Sequence, residues 1–211
     1  MADWATISAL ATAGGTLVLA GATFASVRSA NRAARAAEQS LLAGLRPLLI
    51  PSRLEDPPQK VTFMEGNALA VPGGGGVAQV RDGAVFLVIS LRNAGSGVAV
   101  LHGWHLWPEH RLGRDGPLPA EEFTRLTRDL YIPVRDTGFW QGSFRDSASP
   151  EFNEAKRAIE ARQPMSVDIL YGDFEGGQRV ITRFGLLPRE DGDGWLAVVV
   201  RHWNVDRADP R

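Results

Sequence analysis

The stretch Val85-Phe86-Leu87-Val88-Ile89-Ser90-Leu91-Arg92 decides how the larger part of this chain folds. Five apolar residues in succession leave no polar face, so the strand they form is covered on both sides and lies centrally in a sheet. Asn93, Gly95 and Gly97 follow, residue types suited to a tight reversal, and a partner strand is expected over residues 98–107. Further on, Val167, Ile169 and Tyr171 alternate before a glycine-rich turn at 172–177, and Val180, Thr182, Phe184 and Leu186 alternate after it. That pattern predicts a β-hairpin, and the nearly continuous apolar run at 195–203 extends it to an antiparallel meander.

Two short helices are expected between these strands. Pro119, Glu121 and Glu122 would open one ahead of Phe123, Leu126 and Leu130, and Ser149, Pro150 and Glu151 another ahead of Phe152, Ala155 and Ile159. The four glycines at 73–76 carry no side chains to fix them and read as a mobile loop. A phosphate cradle there would need a Lys-Ser/Thr continuation that Val77 and Ala78 do not supply. Residues 47–211 therefore read as a mainly β domain, an antiparallel β-sandwich of immunoglobulin-like type with short helices. A β-barrel is the alternative, and the Cys-Trp-Cys pattern of antibody domains is absent.

The chain before this domain is of another kind. From Trp4 to Val27 there are 24 residues without a charge, enough to cross about 30 Å of hydrocarbon as a helix, so residues 1–27 are expected to span a membrane. Many of them are Ala, Gly, Thr or Ser, which makes insertion moderately favourable. A cleaved signal peptide would carry a positive n-region, whereas only Asp3 precedes the apolar run. Arg28, Arg32, Arg35 and Arg46 follow the span and no Lys or Arg precedes it, which predicts a cell-membrane, single-pass protein with its C-terminal domain cytoplasmic. Gly14 and Gly21 lie on one helical stripe, and Gly21 pairs with Ala25 as a small-xxx-small step where a second copy could approach as a homodimer. Residues 28–46 should continue the helix as a juxtamembrane stalk, with Ala30, Ala34, Ala37 and Leu41 at coiled-coil spacing, until Pro47 and Pro51 end it.

Composition narrows the chemistry. Zero cysteines among 211 residues exclude disulfides, thiolate nucleophiles and Cys-ligated zinc or iron–sulfur clusters. The net charge of -1, with basic and acidic residues intermixed in the domain, speaks against nucleic-acid binding. No Gly-x-Ser-x-Gly elbow is present.

Three local clusters remain as candidate sites. His102, His105 and His110 lie in one short stretch with Trp104, Trp107 and Glu109, a donor set that could hold zinc if Gly103 introduced a bulge. Without one, alternation sends His102 and His105 to opposite faces, and a strand end whose Trp rings pack and whose His rings hydrogen-bond is the preferred reading. Glu190, Asp191, Asp193 and Gly194 resemble part of a calcium loop, but Trp195 follows where further oxygen ligands are needed, so an acidic hairpin turn is the simpler reading. Asp168 and Asp173 could form an acid/base pair, although they flank a strand end and a solvated rim is the simpler reading.

The whole layout resembles a broad set of uncharacterised actinobacterial single-pass membrane proteins. The stretches that carry the likeness are Leu91, Arg92, Asn93, Ala94, Gly95, Ser96 and Gly97, then Tyr171, Gly172, Asp173, Phe174, Glu175, Gly176 and Gly177, and Arg201, His202 and Trp203. The resemblance implies an anchored β-rich domain and no activity. The expected function is thus a non-enzymatic, membrane-anchored binding or scaffold module at the inner membrane face, meeting the lipid bilayer and a protein partner, with no cofactor. The alternative is a ligand sensor or enzyme with a site near His102, His105 and Trp107, or near Arg201, His202 and Trp203.

Overall fold

The computed structural model describes residues 3–190, 192 and 194–208, and the chain divides into two compact units between Gly44 and Leu45. The first is a single helix, α1 (Trp4–Gly44), unbroken because no proline or paired charge interrupts it, and about 60 Å long at 1.5 Å per residue. It is long and apolar enough to cross a membrane. Its large apolar residues are exposed, Trp4 by 81% and Leu17 by 74%. Gly14 and Gly21 have open space where a side chain would stand, and Ala25 is exposed.

The second unit is mainly β. Eight strands form the path of one antiparallel sheet, β1 (Leu49–Pro51), β4 (Gly75–Arg81), β5 (Ala84–Asn93), β6 (Ala99–Trp107), β7 (Thr124–Ile132), β9 (Met165–Gly172), β10 (Val180–Pro188) and β11 (Trp195–Asn204), in the order β1-β5-β4-β11-β10-β9-β6-β7. β8 (Thr137–Phe144) pairs with β5 off that path, and β2 (Gln59–Thr62) with β3 (Ala68–Val71) makes a separate hairpin. The sheet curls so that its ends, β7 and β8, approach each other as in a half-barrel, and Arg128 Nη2 donates to Gln141 Oε1 across the seam at 2.8 Å.

β5 is central, as its composition requires. β8 occupies one edge over Val85–Arg92, and β4 then β1 share the other. Val85, Leu87, Ile89 and Leu91 enter the main core, while Phe86 and Val88 meet Val61, Phe63, Leu69 and Val71 of the β2–β3 hairpin. The β4–β5 turn is Asp82-Gly83, both at positive φ (51° and 73°), the two-residue hairpin that matches strand twist. The main core joins β5 to Trp104, Trp140, Val167, Ile169, Phe184 and Trp195, and α2 (Pro150–Glu160) closes it with Phe152, Ala155, Ala158 and Ile159. Ser149 caps α2, its side chain accepting from Phe152 N, as the sequence indicates.

Three expectations are corrected. The strand after Asn93 does not pair with β5: β6 pairs with β7 and β9, because residues 94–98 cross from one half of the sheet to the other. Asn93, fully buried, holds that crossing. Its Oδ1 accepts from Leu48 N and Gly95 N, and its Nδ2 donates to the carbonyls of Gly97 and Ile132.

The helix expected after Pro119 is a single 3-10 turn, Ala120–Glu122, followed by strand β7. Leu126 and Leu130 are four apart, a spacing that satisfies both periods, and the free edge of β6 selects the strand.

The four glycines at 73–76 are buried, not a mobile loop, and Gly75 and Gly76 belong to β4. A Cβ on Gly76 would stand 2.7 Å from Leu186 Cδ2 and 2.9 Å from Val88 O, and one on Gly73 would meet Arg53 O at 2.3 Å. This is also where β11 joins β4, through Trp195↔Gly76 and Leu196↔Gly75, and a Cβ on Gly75 would stand 3.1 Å from Trp195 O.

Replacing Asn93 by Ala strips partners from buried backbone groups on three segments and is expected to cost about 3 kcal/mol, read from urea unfolding of the full chain in detergent by tryptophan fluorescence.

Candidate functional site

The outward face of β6, β9, β10 and β11 gathers most of the residues singled out in the sequence. Antiparallel pairing sets His105 beside Asp168, Asp168 beside Arg183 and Arg183 beside Arg201. Asp168 and Arg183 are both fully buried and bind as a fork, with Nε donating to Oδ1 and Nη2 to Oδ2, each at 2.7 Å. Trp107 Nε1 donates to Asp168 Oδ2 at 2.9 Å. The Arg183 guanidinium lies 5.6 Å from the Trp107 ring centre and 5.0 Å from that of Trp203. Arg111 stacks on Trp107 at 3.6 Å and Arg201 on Trp203 at 5.6 Å, so guanidinium groups and indoles alternate across the face as a ladder. Arg183 Nη1 has no hydrogen-bond partner among the described residues, and the flanking π faces supply its remaining electrostatic compensation.

The segment 108–123 covers this ladder. Arg111 N donates to Ser166 Oγ at 2.9 Å, Arg201 Nη1 to Gly113 O at 3.2 Å, and Phe123 with Leu118 and Ala120 packs on Leu170, Ile181 and Trp203. His110 lies over Gly185, its Nδ1 3.5 Å from Ser166 Oγ.

The three histidines do not converge. The register of β6 shifts between Leu101 and Gly103, placing a bulge at His102, which sits against Gly172 and lines a groove of about 490 Å³ with Arg125, Asp129 and Arg179. His105 packs edge-on against Trp107 at 4.4 Å. Among the described residues no group of three His, Asp or Glu could hold a metal ion. His202 points away from Arg201 and Trp203, its Nδ1 2.6 Å from Thr182 Oγ1, which is 2.9 Å from the buried Tyr171 hydroxyl. Burial pushes that phenol up to about 12.

Asp168 and Asp173 are neither a pair nor a solvated rim. Both are buried, and Asp173 caps the β9–β10 turn through Gly177 N and Gln178 Nε2. Asp191 and Asp193 of the proposed calcium loop lie outside the described residues.

A second feature adjoins the ladder. A groove of about 800 Å³ runs along β6 from Trp104 to Trp107, bordered by Glu109, Arg111, Thr124 and Phe144 and walled opposite by α2 through Glu151, Glu154, Ala155 and Ala158 and by its C-cap Ala161. The sequence singles out His105 and Trp107 on its strand side but not the α2 wall, since the groove depends on where β7 ends relative to β6. Arg183 was also unmarked, although a charge within an alternating apolar strand, opposite Asp168 in the hairpin register, is a readable sign.

Burial depresses the pKa of His105, against the opposing pull of Asp168 and Glu122, and depresses that of His102, helped by Arg179 and opposed by Asp129 and Asp173. No protein-family model matches the chain, and no curated protein matches it in sequence.

Both imidazoles bind a proton less readily in the fold than in the unfolded chain. The stability that depends on their neutrality is full above about pH 6.5 and declines as pH falls through that value. His105→Gln should flatten the decline of Tm between roughly pH 7.5 and 5. Asp168→Asn leaves the buried Arg183 without its counter-charge and should cost about 3–5 kcal/mol in urea unfolding, whereas Asp168→Leu with Arg183→Met should recover much of that loss.

Proposed function

We propose that the chain is a membrane-anchored binding module whose groove between the β6 edge and α2 receives a partner protein. The observation that carries the reading is that groove, of about 800 Å³, with apolar walls from Trp104, Leu106, Ala155 and Ala158 and charged groups at its rim. The charged cluster nearby is spent on structure: Asp168 and Arg183 have no exposure to solvent and neutralise each other beneath Trp107 and Trp203. That favours a binding surface over an acid/base site.

The exposed apolar length of α1 supports anchoring in a bilayer, and Arg28, Arg32, Arg35 and Arg46 support a cytoplasmic domain. Anchoring raises the effective concentration of the module near partners in the same membrane. A second copy of α1 packing along Gly14, Gly21 and Ala25 belongs to the same proposal, supported by the open space there. Both halves of the sheet contribute to one core, which supports the immunoglobulin-like reading, while the β4–β11 pairing favours a half-barrel.

Deleting residues 1–27 should move the protein from the carbonate-resistant membrane fraction to the soluble one, and an alkaline phosphatase fused after Arg211 should be inactive. A fusion active only outside the cytoplasm would reverse the orientation. A photo-crosslinking amino acid at Gln163, on the groove's lining, should trap a partner in intact membranes where one at Lys60 does not, and equal trapping at both would remove the groove from its role.

A further inference from the structure

The groove beside β6 has the form of a strand position left open. β7 stops pairing with β6 at Trp104↔Thr124, and His105, Leu106 and Trp107 continue with β9 on one side and, among the described residues, no strand on the other. The lining follows this edge. Trp104 and Leu106 pack with the core and His105 and Trp107 with the ladder, yet all four border the same groove, as they do when it runs along a strand's edge and not over one of its faces. Opposite, the stripe Glu151, Glu154, Ala155, Ala158 and Ala161 repeats at helical spacing, and its alanines hold the α2 wall back from the strand.

Backbone N–H and C=O groups on an open strand edge are a template for a further strand, in which main-chain hydrogen bonds give affinity and alternate side chains give specificity. Charge narrows the occupant. The groove is lined by Glu109, Glu151 and Glu154 against Arg111 and Arg157. Arg111 is already engaged, its Nε 2.9 Å from Glu109 Oε1 and its guanidinium stacked on Trp107, which leaves Glu151 and Glu154 against Arg157 alone. Neither of these two carboxylates is in an ion pair among the described residues.

We infer that the groove binds an extended peptide segment of a partner protein, hydrogen-bonded to the edge at residues 105–107 as an added β-strand and carrying a Lys or Arg where it passes Glu151 and Glu154. This rests on the groove being the partner surface, and the two statements fail differently.

The test selects short random peptides displayed on phage against the full chain in detergent micelles, and titrates the enriched sequences as synthetic, fluorescently labelled peptides. Enriched peptides should alternate apolar residues with Lys or Arg; Glu154→Lys should weaken them several-fold and Ala161→Trp about tenfold or more. N-methylation of every second peptide bond should abolish binding in one register and spare it in the other, because only alternate N–H groups of a strand face its neighbour. Groove variants that abolish binding, together with N-methyl scans that show no dependence on register, would overturn strand addition and leave the groove as the surface. Binding unaffected by both variants would overturn the groove itself. Failure of any peptide to enrich on the wild-type chain over Ala161→Trp would overturn the inference.

Discussion

Two opposite charges buried without exposure, Asp168 and Arg183, set the terms for the rest of the domain. Taking such a pair out of water costs several kcal/mol per ion unless nearly every lone pair and proton is matched. The match here is assembled from four strands and a loop: the fork between β9 and β10, the Trp107 donor from β6, the Trp203 ring from β11, and the segment that closes over them. A slip of one residue between β9 and β10 would turn one of the charges into the core beside Val167 or Phe184, so the pair also fixes the hairpin register. The register places His105 and Trp107 where they border the groove. Structure at the ladder and opportunity at the groove thus come from one constraint.

Much of the fold was legible where a single physical signal dominated. The run at 85–92 could only be central, the hairpin of β9 and β10 follows from alternation on both sides of a glycine-rich turn, and Ser149-Pro150-Glu151 starts a helix. Legibility failed where local chemistry was ambiguous and tertiary context decided. Leu126 and Leu130 fit a helix or a strand equally, and the need of β6 for a neighbour settled the matter. The glycines at 73–76 look flexible in isolation, because sequence shows the missing side chains and not the neighbours that need their absence: the backbone at Arg53 and Asp56, the Leu54 side chain, Trp195 O, and Val88 O with Leu186. Strands β2, β3 and β8 passed unnoticed, being short or interrupted by glycine and polar residues.

The candidate site was legible as a set of residue types and illegible as a geometry. His105, His110, Trp107, Asp168, Arg201 and Trp203 do gather on one face, but around Arg183, which pairing arithmetic within the hairpin could have found. His102 and His202 part from their neighbours for different reasons. A bulge at His102 sends it to another groove, and simple alternation turns His202 toward Thr182. The cluster most suggestive of a metal in sequence is therefore spread along the strand by the geometry that makes the sheet.

The state of the sheet's edges bears on where a partner would dock. Edge strands tend to be short, charged or covered, because an open edge invites pairing with other chains. β1 is three residues long, β8 turns its outer edge toward β7, and β7 presents Arg125, Arg128 and Asp129 to solvent. At residues 105–107 these protections lapse: the edge is flanked by Leu106 and Trp107, and α2 stands off instead of covering it. Large residues on the facing stripe of α2 would have filled that space, and the chain has Ala155, Ala158 and Ala161 there. Ala155 and Ala158 are needed small by the core as well, being buried against it, but Ala161 is exposed and under no such constraint. The opening at that end of the groove is thus a property of the surface and not a by-product of core packing, which is the form expected of a position kept clear for a strand supplied from outside.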